Sequence, residues 1–300
     1  MGKIAFVFSG QGDQFPGMGK QLCEQYSAAA EVFSLCDSLR EGTSRQCFEG
    51  SEDELKETKN TQPCLFAVEM AAFKVLQEKG IKPDMVAGFS LGEVVALTAA
   101  QKLSLEDGFK LVCKRGELMQ SAAEKFDTSM AAVVKLTNEK VEELCAAYSQ
   151  VYPVNYNCPG QVSVAGLTEQ MPQFSADVKA AGGRAIPLKV KGAFHSPFMN
   201  GAAESFAKEL EGVAFAEGET QVYSDVTAMP YEGDERELLS KQICSPVKFE
   251  KIVRKMIEQG ADTFVEIGPG KTLINMIKKI SADVKTYCTA EMGTLLDEVK

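Results

Sequence analysis

The chain has 300 residues, enough for one large hydrophobic core or for a core with a smaller satellite. Hydrophobic residues make up 45% and charged residues 25%, which excludes a globally disordered chain. The net charge of −10 weighs against general nucleic-acid binding, and no apolar run approaches the roughly 18 residues that span a bilayer.

Residues 4–8 (Ile-Ala-Phe-Val-Phe) form a short apolar run that reads as a buried first strand rather than a secretory signal, and Ser9-Gly10-Gln11-Gly12 reads as the tight loop after it. Residues 62–79 suit a helix stopped by Gly80. Residues 85–88 suit a second strand, 90–92 a sharp turn, 92–101 a buried helix and 107–121 a further helix. Strand, glycine turn and helix in that order form the repeating unit of an α/β sheet.

From about residue 129 the texture changes. Residues 130–136 suit a strand, Thr137-Asn138-Glu139 a cap, and 139–148 a helix. Strands near 151–157 and 161–166 flank Pro159-Gly160; helix 169–181 then ends at Gly182-Gly183, before strand 184–190. This β-α-β-β-α-β order matches the ferredoxin-like pattern. The expected architecture is an α/β-hydrolase-like domain with a mostly parallel sheet, over residues 1–128 and 192–300, with a small ferredoxin-like domain inserted at 129–191. Residues 263–267 supply a late strand before Gly268-Pro269-Gly270.

Nine cysteines are scattered with no C-x-x-C pair, so they are expected to pack as small hydrophobes in a reducing cytosol. A single histidine rules out a His-rich metal site, and no metal is expected. Gly270-Lys271-Thr272 imitates the end of a phosphate loop, but that motif needs glycine at 265, where Val265 stands.

Gly88-Phe89-Ser90-Leu91-Gly92 places a serine on a strand-to-helix turn, flanked by glycines that relieve crowding, with the positive end of a helix behind it. A glycine-flanked serine also occurs in ordinary turns. A serine nucleophile needs a base, and only His195 is available. It lies in the small-residue loop 192–197, where the inserted domain ends; a lone histidine is otherwise a core or surface residue. Arg115 has the planar fork suited to a carboxylate, or is a solvated helix arginine.

Together, in this order, several blocks resemble the malonyl-CoA:acyl carrier protein transacylase family of fatty acid synthesis. They are Phe8-Ser9-Gly10-Gln11-Gly12-Asp13-Gln14, Thr61-Gln62-Pro63, 88–93, Arg115-Gly116-Glu117-Leu118-Met119-Gln120, Asn155-Tyr156-Asn157-Cys158-Pro159-Gly160-Gln161, 192–197, Gln242 with Pro246-Val247, and 266–273. The resemblance implies that Ser90 attacks a malonyl thioester while His195 takes its proton, oriented by the backbone carbonyl of Gln242. It places the oxyanion between the amides of Gln11 and Leu91, and the malonyl carboxylate on Arg115. Phe194 is the residue type associated with malonyl over branched groups, and Asn157 and Gln161 count among the implied substrate contacts. Malonyl-CoA and acyl carrier protein are the implied partners, with no nucleic acid, membrane or cofactor, in the cytoplasm.

Two positions depart from the family pattern. Phe89 stands where histidine is common, and Asp13 where serine is usual. Acyl carrier proteins are acidic, so docking on an acidic chain calls for a local basic patch. Lys189, Lys191, Lys248, Lys251 and Arg254 are the expected members. The competing readings are an esterase-class serine hydrolase, which would bring a carboxylate as third member, a trans-acting acyltransferase of polyketide assembly, and a non-catalytic binding module.

Overall fold

A computed structural model describes residues 2–299. Strand β1 (Lys3–Phe8) begins the chain, and β2 (Met85–Gly88) follows a long helical excursion. The middle of the chain holds β3 (Thr128–Val134), β4 (Val151–Cys158), β5 (Gln161–Leu167) and β6 (Arg184–Pro187). Strands β7 (Gln221–Tyr223), β8 (Ala261–Ile267) and β9 (Lys285–Cys288) complete the set among the described residues.

The first sheet runs β7-β2-β1-β8-β9, and every neighbouring pair in it is parallel. Its central strand explains the apolar run at residues 4–8. Phe6 and Phe8 enter the core on one face, with helices Thr58–Glu78, Leu91–Ala99 and Leu105–Ala123. Ala5 and Val7 face the other core, with helices Phe249–Glu258 and Thr272–Ile280. A strand covered on both faces has no solvent side, so it reads as continuous rather than alternating hydrophobicity.

The second sheet runs β4-β5-β3-β6 with every pair antiparallel. Helices Asn138–Ala146 and Met171–Ala180 cover one face, where Val141, Cys145, Phe174 and Val178 meet Val133, Val162 and Val164. Met130, Val154 and Ala165 point the other way, into the main core. Backbone bonds also tie this sheet to the rest: Tyr156 N donates to Val247 O at 2.8 Å, and Val247 N to Val154 O at 2.9 Å.

Several boundaries differ from expectation. The helix expected at 62–79 starts at Thr58, because Pro63 sits inside its early turns instead of opening it. Strand β3 lies two residues earlier than 130–136, and β6 ends at Pro187 rather than 190. Thr137 caps the following helix, its side chain accepting from Lys140 N at 3.3 Å. Val265, the residue that breaks the phosphate-loop pattern, is buried within β8. All nine cysteines are unpaired thiols, six of them buried.

Candidate active site

Three loops at the carboxyl ends of β1, β2 and β8 converge, the edge at which open α/β sheets bind ligands. The turn after β2 is built by two glycines. A Cβ on Gly88 would lie 1.8 Å from the Gly92 carbonyl carbon, and one on Gly92 would lie 2.3 Å from Phe8 O. Helix Leu91–Ala99 therefore packs directly on the strands, and Ser90 is forced to φ 58°, ψ −106°. Strain of this kind in a non-glycine residue persists where surrounding contacts over-determine it. Ser90 N donates to Asp225 Oδ2 at 2.8 Å, and Ser90 O accepts from Gln242 Nε2 at 2.6 Å.

His195 also has a left-handed backbone, φ 61°, and its N–H donates to Ile243 O at 3.2 Å. Its Nδ1 lies 2.8 Å from Gln242 O, and its Nε2 lies 2.7 Å from Ser90 Oγ. A carbonyl can only accept, so Nδ1 carries the proton and Nε2 is the lone pair facing the serine. Burial, reinforced by the Arg115 charge, lowers the histidine pKa to about 4. The imidazole is thus neutral at physiological pH and able to receive a proton.

Arg115 reaches the same point from helix Leu105–Ala123 and is completely buried. Its Nη2 donates to Ser90 Oγ at 3.1 Å and to Gln242 Oε1 at 2.7 Å, and its Nη1 to Gln62 Oε1 at 2.9 Å. Burial lowers its pKa to about 10, against the opposing pull of Glu93, so it stays charged at neutral pH. Arg115 Nε has no partner among the described residues. A buried, rigid cation with an unused N–H beside a serine is suited to an acyl group that ends in a carboxylate.

Leu91 follows the serine as the first residue of its helix, where a backbone N–H has no intrahelical acceptor, and Gln11 lies on the loop after β1, whose Gly10 packs against Phe89. Gln11 lines a cavity of about 690 Å³ together with Thr58, Phe126, Lys189, Lys191 and Gly192. The ring of Phe194 packs against Gly192 at the rim of that cavity.

Among the described residues neither Asn157 nor Gln161 hydrogen-bonds to Ser90. Asn157 Nδ2 donates to Ser163 Oγ at 3.2 Å inside the second sheet. Gln161 Oε1 accepts from Lys279 Nζ at 3.3 Å, in the last turn of helix Thr272–Ile280, which runs away from the carboxyl end of β8. The five expected cations also separate. Lys189 and Lys191 line the Gln11 cavity, whereas Lys248, Lys251 and Arg254 border another cavity with Tyr156 and Glu142. Arg254 is engaged with Glu250 at 2.8 Å, and Lys248 Nζ donates to Val226 O at 2.6 Å.

Glu93, Asp225, Tyr231 and Gln62 have no assigned role in the sequence reading, yet all adjoin the site. A glutamate in the apolar helix after the serine was the available signal, because a buried carboxyl must find donors. Phe89, at the position where histidine is common, packs its ring edge-on against Phe249, with centroids 5.6 Å apart. Asp13 Oδ1 accepts from Thr272 Oγ1 at 2.5 Å.

Residues 5–295 match the family model described as acyl transferase domain. A Bacillus subtilis (strain 168) protein, malonyl CoA-acyl carrier protein transacylase, is 40% identical over 303 residues, 98% of this chain and 96% of that one. The crystal structure of malonyl CoA-acyl carrier protein transacylase from Clostridium perfringens is 36% identical and superposes with TM-score 0.93, covering 97% of this chain and 96% of that one. A malonyl-transacylase in complex with a type II PKS acyl-carrier protein is 34% identical, TM-score 0.95, with 99% of each chain covered.

Proposed function

The chain belongs to the acyl transferase domain family, and on that premise we propose that it moves malonyl groups from malonyl-CoA to the phosphopantetheine thiol of acyl carrier protein, supplying fatty acid synthesis. The observation that carries this reading is Arg115 Nη2 at 3.1 Å from the oxygen of a serine that also contacts His195.

Ser90 Oγ attacks the thioester carbonyl as His195 Nε2 takes its proton, and the Gln242 carbonyl holds the imidazolium through Nδ1–H. The tetrahedral oxyanion lies between the Gln11 and Leu91 amides, donors of a kind worth about 10²–10³ in rate each. Collapse expels CoA as a thiol, with the proton returned by His195, and leaves a malonyl-serine ester. The carrier thiol repeats the sequence in reverse, ending with free Ser90 and malonyl on the carrier. Arg115 anchors the malonyl carboxylate throughout, and Phe194 limits room near His195. No cofactor beyond the two substrates enters this scheme, and both are diffusible in the cytoplasm. Among the described residues no helix is long and apolar enough to cross a membrane. Residues 129–191, which carry the antiparallel sheet except its first residue, Thr128, form the small domain on this reading, and 1–128 with 192–300 the large one.

The histidine partner argues against an esterase. Its Nδ1 meets a backbone carbonyl where an esterase would present a carboxylate. The test is the lifetime of the acyl-enzyme: malonyl-Ser90 is expected to persist in buffer and to discharge when holo acyl carrier protein is added. Hydrolysis as fast as transfer would favour the esterase.

A further inference from the structure

Behind the serine lie two carboxyl groups that the scheme above does not use. Glu93, from helix Leu91–Ala99, and Asp225, from the segment after β7, are both completely buried. They are close neighbours: Asp225 N donates to Glu93 Oε1 at 3.1 Å, and Gln242 Nε2 lies within 3.0 Å of an oxygen of each. Two ionised carboxylates in that position would repel with no water to screen them.

Their donors are unequally shared. Glu93 accepts from the Tyr231 hydroxyl, from Asp225 N at 3.1 Å and from Gln242 Nε2 at 2.5 Å. Asp225 Oδ2 accepts from Ser90 N at 2.8 Å, while Oδ1 is buried with no partner among the described residues. Gln242 Nε2 stands 2.5 Å from Glu93, 2.6 Å from Ser90 O and 3.0 Å from Asp225 Oδ2, but an amide nitrogen has only two hydrogens. The two shorter contacts take them, so Glu93 is rich in donors and Asp225 is short of them.

We propose that Asp225, as a neutral acid hydrogen-bonded to an ionised Glu93, is the positioning residue that holds the Ser90 turn against His195 and Arg115. The proton supplies Asp225 with its own donor and spares Oδ1 the cost of an unpaired charge. Burial and the Glu93 charge both push the Asp225 acidity in this direction. Glu93 then balances Arg115 through the Gln242 side chain, whose Oε1 accepts from Arg115 and whose Nε2 donates to Glu93. The strained serine is thereby fixed from behind through its own N–H and C=O.

The inference rests on Ser90 being the nucleophile, and it predicts an asymmetry that simple packing does not. In Asp225→Asn the amide oxygen can keep the bond from Ser90 N, and an amide N–H takes the place of the acid O–H. In Glu93→Gln a donor is placed where donors already point. The readout is labelling of Ser90 by a fluorophosphonate probe, which carries no malonyl group, with melting temperatures measured alongside. Asp225→Asn is expected to label within about threefold of wild type, whereas Asp225→Ala and Glu93→Gln fall about 10-fold to 100-fold, the range for a lost hydrogen bond to a charged group. Equal damage from Asp225→Asn and Asp225→Ala, or a harmless Glu93→Gln, would overturn the proposal. If the damaging variants do not fold, Asp225→Asn decides alone: labelling near wild type supports the neutral acid, and a tenfold loss refutes it. Failure of wild-type labelling strikes instead at Ser90 as nucleophile, and normal labelling without malonyl loading strikes at the acyl group.

Discussion

His195 is the only histidine among 300 residues, so no other imidazole contributes to the pH dependence of acylation. Its pKa is depressed to about 4, so its base form is lost only as pH falls through that value. Single-turnover acylation is therefore expected to be flat from about pH 5.5 to 8, whereas an ordinary histidine would cost about tenfold at the acid end of that range. Arg115 makes a second prediction at this scale. Arg115→Ala should lower the ratio of malonyl to acetyl loading about 10-fold to 100-fold, the value of a charge-assisted pair. A ratio is the proper measure, since Arg115 also bonds Gln242 and its loss disturbs both reactions. Ser90, His195, Arg115 and the Gln242 carbonyl could be named from residue type, order and resemblance. Asp225 could not, because nothing in Tyr223-Ser224-Asp225 marks a side chain that folds beneath a serine 135 positions earlier. Asn157 and Gln161 follow from the resemblance alone, and their side-chain partners within the fold are Ser163 and Lys279.

The element that matters most is β2, its turn and the helix behind it. Gly92→Ala would drive a methyl to 2.3 Å from Phe8 O, a backbone atom that cannot step aside. The loss of stability should exceed the roughly 1–3 kcal/mol typical of overpacking, read as a fall in denaturation midpoint. Gly201→Ala is the matched control. It lies in helix Asn200–Glu211 with no neighbour within 4 Å, and should stabilise by up to about 1 kcal/mol. This strand-turn-helix unit was legible because a strand buried on both faces is a solid apolar run, and the split β-α-β-β-α-β order of the small sheet was legible from its caps and turns. Edges were less so: Pro63 resembles a helix start and lies inside one. Strands such as β7, at three residues, are too short to show any period and exist because β2 offers them a ladder.

At the scale of the molecule, the question is how an acidic chain receives an acidic partner. Lys189 and Lys191 line the cavity that also contains Gln11, while Lys248, Lys251 and Arg254 lie around another, so the sequence-level patch was two separate groups. The first pair is the better docking candidate, since a pantetheine arm entering beside Gln11 would bring its carrier against it. Charge reversal at both lysines should raise the carrier-protein Michaelis constant several-fold, more at low salt, and leave malonyl-CoA loading unchanged. Parallel loss in both half-reactions would remove these residues from the interface. Such grouping could not be read from the chain, because proximity in sequence says little about which cavity a side chain borders.

On the proposed mechanism Ser90 carries a malonyl group between two thiols. The most direct measurement is to incubate the protein with malonyl-, acetyl- and methylmalonyl-CoA in turn, digest it, and locate the acylated peptide by mass. Malonyl is expected on the peptide containing Ser90, in preference to the other two groups, absent in Ser90→Ala and transferred to holo acyl carrier protein on its addition. An unmodified Ser90 after malonyl-CoA, or malonyl found on a different residue, would contradict it.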